Sequence, residues 1–407
     1  MIPLSDAVRT KIDTLASAEL PAYIYDLAGL RDHAAFIRSV LPERVTLYYA
    51  AKANPESKIL AALSTIVDGF EVSSGGELSH VAEVVPGLPL AFGGPGKTRA
   101  ELRAALDLGV HRIHVESVGE LRMLAQLAAD RPGLLVSVLL RVNVPVGSKA
   151  LSGSALSMGG RPSQFGLDPS QAEIAAAALA GNKFPSLRWE GVHAHLASGL
   201  EATDLVEVAE SVVRWSTDIA QRHGVQLTEV NVGGGMNVDY RMPGDCFDWT
   251  TYGSGLAAIA DAWPGLQLSI EPGRAMTAYC GWYVTDVLDV KPSHGAGFAV
   301  VRGGTHHLRT PAAKGHDQPC AVVAVDGWDN PWPRPTAAGR MVTICGQLCT
   351  PKDTLARNVP AVGLRVGDRV AFGLAGAYAW NISHHNFLMH PPPSVHIVDD
   401  ALHAEVE

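Results

Sequence analysis

Two rhythms alternate along most of the chain. Short apolar runs rich in β-branched and aromatic residues are separated by stretches with an apolar residue every third or fourth position, so buried strands alternate with amphipathic helices. The strand-like runs are Val45–Ala53, Gly69–Ser74, Leu88–Gly94, Arg112–Ser117, Leu134–Val144, Leu187–Leu196, Leu227–Gly235 and Leu266–Gly273. Helical spacing fills the intervals, as in Lys97–Gly109, Gly119–Asp130, Pro169–Ala180 and Ala202–Gly224. Such units, spread over about 230 residues, have the size and rhythm of a (β/α)8 TIM barrel. From about Cys280 the helical spacing stops. Short β-branched runs punctuated by Gly and Pro replace it: Trp282–Val290, Gly297–Val301, Ala321–Val325, Met341–Ile344, Arg369–Phe372 and Val395–Ile397. The pattern predicts an α/β chain with a barrel over 27–278 and a C-terminal, mostly-β domain over 279–407. Residues 1–26, whose strand Ala22–Asp26 stands apart from the barrel rhythm, are assigned to that second domain.

In such a barrel the active site forms at the C-terminal ends of the strands. There stand Lys52, Glu71 with Ser73 and Ser74, Glu116, Arg141, His195 with Ser198, Gly233-Gly234-Gly235, and Glu271-Pro272-Gly273-Arg274. Each alone reads as a satisfied strand-end polar residue; together on one rim they read as a site. Lys52 closes an almost wholly apolar run, so its amine is expected to be partly desolvated, which makes a lysine a Schiff-base nucleophile. Three successive glycines offer backbone N–H groups to an anion, and Ser198-Gly199 and Gly273-Arg274 complete a phosphate cup. A Schiff-base lysine, a phosphate cup and a carboxylate on the last strand point to pyridoxal 5'-phosphate. Glu271 would partner its pyridinium nitrogen, and His195 would lie against its ring. The Gly-, Ser- and Lys-bearing insertion Pro145–Phe165 follows a strand end and is expected on the functional face.

Composition narrows the classes. A net charge of −9 argues against nucleic acid as a partner. The first twenty residues carry Asp6, Asp13 and Glu19 without a long apolar core, so no signal peptide is read there, and no run is long enough to span a membrane. The five cysteines, an odd count without a disulfide-like framework, fit a reducing cytosol and a cytoplasmic protein. No metal site is expected: His306-His307 and His384-His385 would point to opposite faces of a strand, and Cys345 with Cys349 lacks a second ligand pair.

The motifs Tyr49-Ala-Ala-Lys52-Ala-Asn, Glu71-Val-Ser-Ser-Gly-Gly-Glu77-Leu, His193-Ala-His195, Gly233-Gly-Gly235, Glu271-Pro-Gly-Arg274, Cys349 and Gly376-Ala-Tyr378 resemble those of the fold-type III pyridoxal-phosphate decarboxylases, which include ornithine and diaminopimelate decarboxylases. The resemblance runs from about Ala22 to Pro393. It implies that Lys52 carries the cofactor, that His195 stacks on its ring and that Glu271 holds its nitrogen. The glycine triplet, Ser198, Gly273, Arg274 and Tyr378 would hold the phosphate, with Glu71 and Arg141 completing the cofactor set. Cys349, the implied proton donor, and Tyr378 would reach the other subunit's cofactor, which implies a head-to-tail homodimer.

Gly376–Phe387 and Met158–Gly166 look most like the branch that decarboxylates conjugated amino acids. That branch includes siderophore-pathway enzymes acting on citryl-diaminopropionate or citryl-ornithine and an enzyme acting on a carrier-bound glutamyl unit. Two departures from the family pattern stand out. Glu71 occupies a position where aspartate is common, and Thr350 one where diaminopimelate decarboxylases place a glutamate against the distal ammonium. The second puts a free diamino acid in doubt. Arg309, Lys352, Arg161 and Lys149 supply cations suited to carboxylates instead, and His307 is a further candidate substrate contact. Alternatives are a diaminopimelate, ornithine or lysine decarboxylase, a pyridoxal-phosphate-dependent amino-acid racemase, and a catalytically silent homologue.

Overall fold

The computed structural model describes residues 4–145 and 159–399. Lys149 and Met158 of the long insertion lie outside the described residues. The chain opens with the helix Asp6–Thr14, capped by the Ser5 hydroxyl, which accepts from Val8 N–H, and continues into strand β1 (Ala22–Asp26). Eight strands then follow: β2 (Val45–Ala50), β3 (Gly69–Val72), β4 (Leu90–Phe92), β5 (Arg112–Val115), β6 (Val136–Arg141), β7 (Leu187–His193), β8 (Glu229–Asn231) and β9 (Gln267–Ile270). They close into a barrel in sequence order, all neighbours parallel, with β9 returning to β2.

Strands β3, β4 and β8 are buried throughout. Burial on both faces is what helices wrapped around a parallel barrel impose; β4 reads as an unbroken apolar run, whereas β3 and β8 bury Glu71, Glu229 and Asn231 beside their apolar residues. The helices start where the sequence supplies a cap just past a strand. Ser74 accepts from Glu77 N–H and Ser117 from Glu120 N–H, with the same Ser-x-x-Glu spacing after β3 and after β5. Thr98 and Glu101 form a reciprocal capping box at the start of Arg99–Asp107.

The barrel unit comprises residues 33–237 and 247–276. A second compact unit takes the described residues up to Asp32, the excursion Val238–Cys246 and the chain from Thr277 onward. That excursion falls within the 27–278 span read from the sequence, but it packs with the second unit, where Tyr240 stacks on His316 at 4.3 Å. This unit holds β10 (Gly281–Ser293), β11 (Ala296–Val301), β12 (Cys320–Val323), β13 (Met341–Cys345), β14 (Thr354–Pro360), β15 (Arg369–Phe372) and β16 (Ser394–Val398). The sheet order is β12-β15-β10-β11-β13-β14. β1 joins it, antiparallel to β10 and parallel to β16. Val8 and Ile12, one helical turn apart, pack with Leu15, Ile24, Trp282, Val284, Val323 and Ala371 into its core. No helix among the described residues is long and apolar enough to cross a membrane.

Candidate active site

Parallel register builds the first part of the site. β2 meets β3 with Ala50 opposite Glu71, so residues just past Ala50 face Glu71 and Ser73. Lys52 sits in the 3-10 turn Ala51–Ala53 that ends β2. Its Nζ donates to Glu71 Oε2 at 2.5 Å and to Ser73 Oγ at 3.2 Å, while Ser73 Oγ donates to Glu71 Oε1 at 2.9 Å. The Lys52 side chain is 42% exposed and ion-paired. The amine is thus partly withdrawn from water, as the apolar run before it predicts, and it leans back onto a carboxylate of the next strand. Behind it, Ser73 N–H donates to Glu77 Oε2 at 2.7 Å, and burial raises the Glu77 carboxyl above its ordinary range.

Alternate strands of a barrel contribute side chains to one interior layer. Here β3, β5, β7 and the end of β9 contribute Glu71, His114, His193 and Glu271, all buried. The rings of His114 and His193 stack with centroids 4.2 Å apart and planes 14° from parallel. His193 Nε2 lies 3.1 Å from Glu271 Oε2, and Asn231 Nδ2 donates to Oε1 at 2.8 Å. Register explains this meeting too, since β7 and β8 pair His193 with Asn231, and β8 and β9 pair Asn231 with Ser269, two residues before Glu271. Gly93 leaves room for the layer: a Cβ there would stand 2.9 Å from Glu71 Oε1 and 3.5 Å from His114 Nδ1. Burial holds His114 and His193 well below the ordinary histidine range, helped by each histidine's cationic or imidazole neighbours, so both rings are neutral.

The donor atoms of His114, His193 and Glu271 lie within 4.8 Å of one another. A metal takes an imidazole lone pair in the plane of the ring, however, and two stacked rings 14° from parallel do not both aim at one ion. The arrangement is a stacked pair rather than a chelate.

The glycine loop is more self-contained than three consecutive glycines suggest. Gly233 N–H donates to Asn231 Oδ1 at 2.9 Å, and Gly234 N–H donates to His195 Nδ1 at 3.0 Å. Among the described residues, only the Gly235 amide of the three has no acceptor. The absence of side chains serves close approach as much as anion binding: a Cβ on Gly233 would stand 2.9 Å from the His195 ring, and one on Gly235, at φ +108°, 2.3 Å from Ala197 O. His195 accepts at Nδ1, so its proton sits on Nε2, 3.4 Å from Ser198 Oγ; burial holds this ring neutral as well. Arg274, half-buried, opens the helical turn Arg274–Thr277 directly after Gly273.

Arg141 at the end of β6 donates to Glu116 Oε1 at 2.7 Å, lies 5.0 Å from the Phe165 ring and is buried. The other Glu116 oxygen accepts from Gly166 N–H at 3.2 Å. The pair anchors the returning end of the long insertion to the barrel, and Asn143 Nδ2 adds a bond to the backbone oxygen of Arg161 at 2.9 Å.

Within the second unit, the other candidates cluster around Asp353, which is 2% exposed. Its carboxylate accepts from Leu348 N–H at 2.8 Å, Thr305 N–H at 2.6 Å and Thr305 Oγ1 at 2.9 Å. It thereby ties the loop carrying Cys349, Thr350 and Lys352 to the turn carrying His306, His307 and Arg309. Cys349 is exposed. Arg309 and Lys352 are exposed too, and neither has an ion-pair partner among the described residues. Tyr378 is half-buried at φ +48°, its backbone oxygen accepting from Thr310 Oγ1 at 2.6 Å.

His307 needs correction as a substrate contact. It is 2% exposed, its Nδ1 lies 3.1 Å from Tyr283 Oη and its Nε2 lies 3.0 Å from Pro391 O, so both ring nitrogens serve the fold. His306 and His307 also lie in a turn rather than a strand, with rings 4.0 Å apart. Their side chains therefore do not alternate between the faces of a strand.

His114, Asn231 and Asp353 were not singled out from the sequence, and His193 appeared only as part of a motif. The available signal was spacing: His193, the last residue of β7, stands two residues before His195, and Asn231, the last of β8, two before Gly233.

These residues fit pyridoxal phosphate. A lysine amine sits on the rim, a buried carboxylate lies deeper in the barrel, and the Gly235 N–H has no acceptor among the described residues. Residues 27–278 match the family model described as pyridoxal-dependent decarboxylase, pyridoxal binding domain. Over 394 residues the chain is 38% identical to the 2-[(L-alanin-3-ylcarbamoyl)methyl]-2-hydroxybutanedioate decarboxylase of Staphylococcus aureus, covering 95% of this chain and 96% of that one. It is 30% identical over 392 residues to the L-glutamyl-[BtrI acyl-carrier protein] decarboxylase of Niallia circulans, covering 92% and 88% of the two chains. Among solved structures, the diaminopimelate decarboxylase of Helicobacter pylori complexed with L-lysine matches with a TM-score of 0.83 at 23% identity, over 96% and 94% of the chains. That likeness speaks to the fold.

Proposed function

The chain belongs to the pyridoxal-dependent decarboxylases, and on that premise we propose that it removes the α-carboxylate from the amino-acid end of a conjugate whose other end is an acid-rich acyl group. The observation that carries this reading is the near-full-length likeness to the Staphylococcus aureus enzyme. That enzyme's substrate name describes a hydroxybutanedioate, a citrate skeleton, joined through an amide to carbon 3 of alanine. Such a molecule presents one free α-amino acid, further carboxylates and no distal ammonium.

The chemistry of the second unit supports the same class. A free diamino acid brings a distal ammonium whose burial calls for a carboxylate, and Thr350 offers only a hydroxyl. Arg309 and Lys352, exposed and without ion-pair partners among the described residues, suit the carboxylates of an acyl group. A siderophore pathway, built on polycarboxylate ligands, is the setting we assign to such a substrate, and the cytoplasm is its compartment.

When bound, pyridoxal phosphate supplies an electron-poor ring that takes up the electron pair released as the carboxylate departs. Lys52 attaches the cofactor through its amine, and Glu71 and Ser73 hold that amine at the rim. Glu271 holds a proton at the pyridine nitrogen. Gly235, with Ser198, Gly273, Arg274 and Tyr378, binds the phosphate, while His195 supports the ring and Arg141 braces the rim. Cys349 delivers the proton that replaces the lost carboxylate on the α-carbon. In this reading Cys349 and Tyr378 come from the second subunit of a head-to-tail homodimer.

The test is product identification. Incubation with the amide of citrate and 2,3-diaminopropionate should release carbon dioxide and leave a product that keeps the acyl group and lacks only the α-carboxylate. Release of the free acyl acid, or no turnover, rejects the proposal.

A further inference from the structure

The structure assigns His193 a role in the site: we propose that it is a positioning residue for Glu271, its Nε2–H and the Asn231 amide holding the carboxylate at two points so that Glu271 serves the pyridine nitrogen without being neutralised. This rests on the pyridoxal reading above. A carboxylate accepts at two oxygens, each with more than one lone-pair direction. Asn231 takes one direction at Oε1 and His193 one at Oε2, at 2.8 and 3.1 Å, which leaves each oxygen able to accept again.

Both donors are themselves fixed. Asn231 Oδ1 accepts from Gly233 N–H at 2.9 Å, which settles which end of the amide faces Glu271. The plane of His193 is set by its stack on His114, centroids 4.2 Å apart. His193 Nδ1 has no hydrogen-bond partner among the described residues. With Nε2 against a carboxylate, the proton of the neutral ring belongs on Nε2.

Neutrality is the substance of the arrangement. A charged imidazolium beside Glu271 would pair with the carboxylate and compete for the negative charge that keeps a pyridine nitrogen protonated. His193 is buried and faces the cations Arg141, Lys52 and Lys97, which oppose a second proton on its ring. It therefore orients Glu271 as a neutral donor, in the way that outer-shell partners orient the ligands of a metal. His114 supplies the flat surface: both of its ring nitrogens are buried without a hydrogen-bond partner among the described residues, Nε2 standing 3.8 Å from Glu271 Oε1, beyond hydrogen-bond distance, so its contribution is the stack.

The experiment loads the full-length enzyme with pyridoxal phosphate carrying 15N in its ring and records the nitrogen resonance against pH without substrate. The wild type and His193→Gln, whose amide replaces the Nε2–H donor, are expected to keep the pyridine nitrogen protonated through neutral pH. His193→Leu is expected to lose that proton at lower pH and to lower kcat/KM roughly ten- to hundredfold, the effect of one hydrogen bond to a charged group. Should His193→Leu fail to retain the cofactor, His193→Asn, polar but too short for the 3.1 Å contact, takes its place. A nitrogen protonated over the same pH range in both the wild type and these variants overturns the proposal. An unprotonated nitrogen in the wild type overturns the role of Glu271 as well, so the two failures are distinct.

Discussion

Lys52 and Glu71 meet at 2.5 Å because two parallel strands end in register, and in the proposed function that contact makes Glu71 part of the lysine's chemistry. The carboxylate fixes the amine and offers a place for the proton the amine must give up to become a nucleophile. Glu71→Gln keeps the size and one acceptor but removes the charge. It is expected to slow turnover by about tenfold or more, roughly 1.4 kcal/mol of barrier, while the cofactor remains attached to Lys52. Borohydride reduction followed by peptide mapping checks the attachment, and steady-state rates check the loss. Adduct on another lysine, or an unchanged rate, would contradict this account of the pair. The contact was hidden in the sequence for a definite reason. The apolar run before Lys52 says that its amine is partly withdrawn from water, but its partner is a residue on the next strand, which only the register brings near.

The element that organises the second unit's candidates is the loop Gly346–Asp353 against the turn Gly303–Arg309, with Asp353 as the tie. Asp353→Ala leaves three buried donors without an acceptor and is expected to cost about 3 kcal/mol, measured as a shift in the denaturation midpoint. The neighbouring histidines make the same turn sensitive to acid. Burial, with His390 and other histidines nearby, holds His306 at about 4 and His307 at about 3, both below the ordinary 6.5. Because the folded values lie below the unfolded ones, the unfolded chain binds more protons between them, so stability rises with pH across that window. The contribution is complete above about pH 6.5 and is lost as pH falls toward 4 and then 3. His306→Phe, which removes two ring nitrogens without partners among the described residues, is expected to flatten the fall in Tm between pH 6.5 and 4. An unchanged slope would contradict it.

The barrel strands and the early strand of the second sheet were legible at this scale because largely buried strands read as short, mostly apolar, β-prone segments between helical patterns. The His114–His193 stack was not. A single histidine between Ile113 and Val115 reads like any strand residue, and its meaning comes from a partner two strands away. The excursion 238–246 was missed likewise, since nothing in its composition says which unit it packs on.

For the whole molecule, the reading places Lys52 in one subunit and Cys349 from the other in each site. Lys52→Ala and Cys349→Ala homodimers, each inactive, are expected to recover part of the activity when mixed under conditions that exchange subunits, because one of the two sites in each mixed dimer then carries both groups. No recovery despite demonstrated exchange would argue that each site is built within one chain. The central claim, however, concerns the substrate: an acid-rich conjugate rather than a free diamino acid. The measurement is kcat/KM for the citrate amide of 2,3-diaminopropionate beside those for free diaminopimelate, ornithine and lysine under the same conditions. The account predicts that the conjugate is preferred by about a hundredfold or more, the scale of one well-placed charge pair. A free diamino acid that equals or exceeds it would contradict the account.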